Sequence, residues 1–204
     1  MKYWVVAISV LLSARAIADP ASPVVIPLNQ KLAVVDYVDN GRQTGCGLRA
    51  TGETPDDVWL NVLVTVFMKG TGASFGVIKV VARKVNTKDG VPVLRDGKIS
   101  YADIGNIRNA WIKSYSGKAP LVYENGKSSH GDAYMATAEF SSTVDLLASL
   151  LQGSFKVGLS RDEAAPDEVF QFDKSLDPDD GYKLSVCMKK LRTAMDELRD
   201  KQNF

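Results

Sequence analysis

Lys127-Ser128-Ser129-His130-Gly131-Asp132 holds the only imidazole of the chain, so nucleophile, base and carboxylate types are close neighbours in sequence. Acyl-transfer chemistry would need the hydroxyl, ring and carboxylate convergent, with amide donors aimed at the developing oxyanion. Neighbours in one glycine-containing loop seldom converge that way, and no G-x-S-x-G elbow is present. The segment reads as an exposed polar loop. Ser129, His130 and Asp132 are the catalytic candidates, if there are any.

Glycoside chemistry needs two carboxylates at a set distance. Glu53, Asp56, Asp57, Glu124, Asp132 and Glu139 are candidates, with no spacing that selects a pair. Trp111, Tyr115, Tyr123 and Tyr134 fall near the loops of residues 111–134. Exposed, they would offer a stacking platform for sugars or peptides; alternating core positions explain them equally well.

Metals are poorly served, because one His and two distant Cys cannot build a structural zinc site. Asp177-Pro178-Asp179-Asp180-Gly181 has the carboxylates of a calcium loop. Tyr182 and Met188, however, stand where such a loop needs Gly and Glu, so the segment reads as a turn before a helix. Gly126-Lys127-Ser128 lacks the leading glycine of a phosphate loop, since Leu121 occupies that position. No cofactor and no metal is indicated.

The two cysteines read differently once the N-terminus is considered. Lys2, the apolar run Trp4–Leu12 and the small residues Ala16 and Ala18 form the pattern of a secretory leader spanning residues 1–18. The run is too short to cross a bilayer, which takes about 20 apolar residues. Disulfides persist outside the cytoplasm, so Cys46 and Cys187 are expected to pair. A redox-active role would call for a C-x-x-C motif, which is absent. Without the leader the chain keeps 23 bases against 24 acids, a net of −1. That balance argues against non-specific nucleic-acid binding, and no later stretch is long and apolar enough to span a membrane.

These groups must be positioned by elements the pattern also predicts. Residues 19–31, with Pro20, Pro23 and Pro27, form an extended lead-in, and residues 32–204 form one β-rich domain. Lys31–Asp39 and Gly45–Gly52 read as strands. Asp57–Lys69 places Val58, Leu60, Val62, Val64 and Val66 at period two, and Ser74–Val85 resumes after a glycine turn. Together these two runs predict a long antiparallel hairpin with one oily face, for which a second sheet is the expected cover.

Residues 86–97 and 116–132 read as loops. Strands are expected in the second half of 98–115, at Ala133–Phe140, at Phe155–Leu159 and at Val169–Phe172. A short helix capped by Ser142 or Thr143 and ended by Gly153 follows Phe140. A final helix runs from Leu184 and carries Cys187.

The expected class is therefore all-β dominated, with α+β possible. The expected architecture is an antiparallel β-sandwich with a long hairpin, a mid-chain helix and a C-terminal helix. The expected function is binding: an exported, non-enzymatic accessory, recognition or inhibitor protein, with a protein or glycan partner in the cell envelope. The alternatives are a hydrolase of the envelope or of polysaccharide, and a small-ligand carrier cupped by the oily hairpin face. The expected location is the periplasm or the exterior.

Overall fold

The computed structural model describes residues 24–70, 73–114, 122–126, 131–161 and 167–202. The leader and the candidates Ser129 and His130 lie outside the described residues.

Four long strands form the centre of the larger sheet: β2 (Leu28–Asp39), β3 (Arg42–Glu53), β4 (Val58–Met68) and β5 (Ser74–Val85). The short β1 (Val24–Val25) precedes them. After β5, residues 86–100 fold into two small ladders, β6 (Thr87–Lys88) with β7 (Val91–Pro92), and β8 (Leu94–Arg95) with β9 (Lys98–Ile99). Strand β10 (Tyr101–Ala102) returns to β5, followed by β11 (Asn109–Ser114), β12 (Val122–Gly126) and β13 (Ala133–Ala138). Helix α1 (Phe140–Leu150), strands β14 (Phe155–Ser160) and β15 (Glu168–Phe172), and helix α2 (Pro178–Gln202) complete the chain.

The larger sheet runs β12-β13-β5-β4-β3-β2, all antiparallel, and a smaller sheet runs β1-β15-β14-β11. Cross-strand partners in an antiparallel ladder share a face, so the register sorts the side chains. Cys46, Leu48 and Ala50 of β3 lie opposite Val66, Val64 and Val62 of β4; Val64 and Val62 lie opposite Ile78 and Val80 of β5. All eight are between 0 and 4% exposed. This face is the buried one.

Helix α1 lies against it, with Thr143 over Gly76, and α2 lies chiefly over β3. The smaller sheet reaches it through Phe172, whose ring approaches Gly52. Helices thus share with a second sheet the cover that the sequence pattern assigned to a sheet alone. Side chains of both sheets and both helices form one core.

The Cys46–Cys187 disulfide is present, with Cα atoms 5.9 Å apart and a separation of 141 positions in sequence. It joins α2 to a central strand, and Gln43 donates a hydrogen bond from Nε2 to Cys187 Sγ at 3.2 Å. Such a bond fits an oxidising, extracytoplasmic compartment. No helix among the described residues is long and apolar enough to cross a membrane.

Strand β2 starts at Leu28, inside the expected lead-in, β3 starts at Arg42 rather than Gly45, and the expected 86–97 loop is built of short ladders. The two helix starts differ as well. The cap of α1 is Glu139, not Ser142 or Thr143. Its carboxylate accepts from the amides of Ser141 and Ser142, while both expected hydroxyls donate back to the Glu139 carbonyl. A carboxylate suits this end of a helix better than a hydroxyl, because it also meets the positive end of the dipole. Bonds from the Ser141 hydroxyl first, then from the Ser142 amide, pull the Glu139 pKa down to about 2.

A group held below its ordinary pKa stabilises the fold above that ordinary value, about 4.5 here. The contribution fades as pH falls toward 2. Glu139→Gln should therefore lower the melting temperature at pH 7 and leave it closer to wild type at pH 2.5. Parallel thermal melts followed by circular dichroism check this.

The second difference is α2, which begins at Pro178 rather than Leu184. Asp177 accepts from the Asp179 amide through its side chain and from Gly181 through its carbonyl, so the acidic segment is a helix start and not a separate turn.

Candidate functional site

Several of the described sequence-based candidates are engaged in structural contacts. Asp132 directs Oδ2 at Arg83, an ion pair that raises the arginine pKa through the hydrogen bond they share. Glu139 is spent on its helix cap. Tyr134 is buried at 6% exposure, and burial raises its phenol pKa.

Trp111 lies on Gly158 and donates Nε1 to Asp167 at 2.6 Å, with the Lys113 ammonium 4.9 Å from its ring centre. Trp111 and Tyr134 therefore do not share an exposed platform. Tyr115 lies outside the described residues, and Tyr123 is described only as part of β12, a strand inside the segment expected to be a loop. Among the described residues, no cluster of His, Cys, Asp and Glu could hold a metal.

Two of the carboxylates do converge, at the far end of the long hairpin. Thr54 closes the turn between β3 and β4. Its carbonyl accepts from the Asp57 amide, and its hydroxyl accepts from the Val58 amide at 3.1 Å. Asp57 takes φ of +62° there, a conformation that Asp tolerates better than most residues. The turn lets Glu53, at the end of β3, and Asp57 line one pocket. Trp59 follows, directly across from both Glu53 and Arg83 on the face the helices leave uncovered. The Arg83 guanidinium stands 5.2 Å from the centre of the Tyr101 ring.

The 86–100 segment closes the far wall. Asp89-Gly90 and Asp96-Gly97 have φ of +52° and +76°, and +52° and +72°. Positive φ at both central residues is what two-residue hairpin turns require, and Asp-Gly is a favoured pair for it. Backbone bonds from Asn86 to the Ser100 carbonyl, Val93 to Asn86 and Ser100 to Val93 tie the two ladders together at their base. Thr87 adds a bond from its hydroxyl to Asp57 Oδ2 at 3.0 Å.

The result is a pocket of roughly 340 Å3, lined by Glu53, Asp57, Trp59, Tyr101, Pro92 and Ile99 among others. The double hairpin exposes three large apolar residues, Val91 (65%), Leu94 (62%) and Ile99 (46%), and Tyr101 (43%) follows it on β10. These apolar groups are thus exposed on a hydrogen-bonded loop.

Glu53 and Asp57 were candidates without a selecting signal, and Trp59 and Tyr101 were not singled out. A usable signal existed in the two Asp-Gly dipeptides, which predict hairpins. Another was Trp59, which sits out of phase with the apolar run of β4. No protein-family model matches the chain, and no curated protein or solved structure gives a significant match.

Proposed function

We propose that the chain is an exported binding protein that recognises a protein partner through the double hairpin of residues 86–100 and the pocket beneath it. The observation that carries this reading is a pair of hairpins that expose Val91 and Leu94 while their Gly90, Pro92 and Ile99 line one pocket with two carboxylates and two aromatic residues. The apolar tips suit an apolar patch on a partner. The pocket suits a cationic side chain, because an ammonium or guanidinium gains from carboxylates and ring faces together. A leader over residues 1–18, removed on export to the periplasm or the exterior, agrees with the disulfide.

The test uses the full-length protein as bait in its native envelope extract. Val91→Ser with Leu94→Ser, and separately Glu53→Gln with Asp57→Asn, should each cut partner recovery at least tenfold. Melting temperature should stay within about 2 °C, because Val91 and Leu94 are exposed, and Gln and Asn keep the shape of the half-buried Glu53 and Asp57, with Asn tolerating the positive φ and still able to accept from Thr87. Recovery equal to wild type with both double variants would remove the proposal.

The shared pocket also favours a second reading, a polysaccharide hydrolase in which Glu53 and Asp57 divide the acid and base roles. In that case envelope polysaccharide would be depolymerised by the wild type and left intact by either Glu53→Gln or Asp57→Asn. An inactive wild type would dispose of it.

A further inference from the structure

Strand β2 closes one end of the larger sheet, paired on one side with β3 and unpaired on the other among the described residues. An open edge of this length is a template for a further strand. The bulge at Asn29–Gln30 ends before Lys31, and pairing with β3 from Lys31 to Tyr37 is unbroken. The extra residue near the far end belongs to β3, where Tyr37 and Val38 face Gly45 and Gln43. Strand β2 itself therefore offers nine regular residues, 31–39. Helix α2 packs more over β3 than over β2, and residues 31, 33, 36, 38 and 39 of β2 are exposed.

From this edge we infer that the chain forms a symmetric dimer, in which β2 pairs antiparallel with β2 of a second copy. Two copies about an axis normal to the sheet keep their equivalent faces together. Residues of like parity must then oppose each other, which leaves few registers. The register centred on Val35 opposite Val35 is singled out by charge.

On the uncovered face it sets Lys31 against Asp39 of the other copy, twice, with Ala33 against Tyr37 between them. None of the described ion pairs uses Lys31 or Asp39. On the core face it sets Leu32 against Val38, an apolar residue left 57% exposed in the single chain. It also sets Asp36 against Val34. Val34 lines a cleft of roughly 270 Å3 beside α2 together with Lys183 and Lys190. The chain's own Asp36 lines the same cleft and Lys183 is held by Asp180 at 2.7 Å, so Lys190 would face both its own Asp36 and the incoming one, and the register is selected by Lys31 and Asp39. Moving the centre by one residue sets Lys31 against Tyr37 in one direction and against Gly41, beyond the end of β2, in the other, and both lose the match. The complementarity is of the chain with itself, which favours a second copy over an unrelated peptide.

The test reads both register and charge. Val35→Cys should give a covalent dimer under mild oxidation, because residues on the axis have Cα atoms about 4.5–5.5 Å apart. Ala33→Cys should not, because those positions lie about 14 Å apart along the strand. Cys46 and Cys187 are occupied with each other. By light scattering after size exclusion the wild type should have twice the chain mass. Lys31→Asp and Asp39→Lys should each weaken the dimer about tenfold or more, and the two together should restore it. A wild type that is monomeric at 100 μM would overturn the inference, as would cross-linking of Ala33→Cys equal to that of Val35→Cys. A monomer that still captures its partner through residues 86–100 would overturn the dimer while leaving the proposed function standing.

Discussion

Replacing Cys46 and Cys187 together by Ala should lower the melting temperature by about 10–20 °C. The closed loop spans 141 residues, and tying off a loop of that length removes unfolded-chain entropy worth about 5 kcal/mol at the upper end. For a chain of this size each kcal/mol moves the midpoint by about 2–4 °C. Alanine is the informative choice, because Cys46 is fully buried and Cys187 nearly so, and serine would add two buried hydroxyls. Treating the wild type with reductant should shift the melt the same way. Calorimetry with and without reductant decides it: coincident melts would mean that the link to α2 contributes nothing.

Phe172→Ala should be of comparable severity, at about 3–5 kcal/mol. The ring is 1% exposed and stacks on Phe155, with centroids 4.9 Å apart and planes 5° from parallel. Its edge also comes close to Gly52 of the larger sheet. Truncation therefore opens a cavity where the two sheets meet, and the surrounding strands cannot collapse into it without losing their ladders. Urea denaturation should show the midpoint fall with the slope unchanged. Phe172→Leu, which refills most of the volume, should recover more than half of the loss.

Most of the long strands were legible because their signal is local. Val58 to Val66 alternate with bulkier or more polar residues, and a strand is the only element in which that period gives one oily face. The cysteine pairing was legible because two thiols in an oxidising compartment leave one pairing. The cap of α1 was misread because hydroxyls at 142 and 143 compete with the carboxylate at 139, and only the actual turn shows which oxygen reaches the free amides. The start of α2 was hidden by Gly181, which disfavours helix. In the fold it meets nothing that a side chain would touch, so the helix tolerates it at a cost of about 1 kcal/mol. The site was the least legible part. Glu53 and Asp57 are close in sequence, but Tyr101 and the 86–100 hairpins join them only because β10 folds back onto β5.

Composition, period and cysteine count by themselves determined the class of fold, the hairpin at its centre and the covalent link, because each follows from short-range stereochemistry or from there being no other choice. Tertiary structure alone decided which face of the larger sheet is covered, which strand is left at the edge, and which carboxylates share a pocket. Those outcomes depend on how strands distant in sequence align, and strand order and register are set by contacts across the whole core.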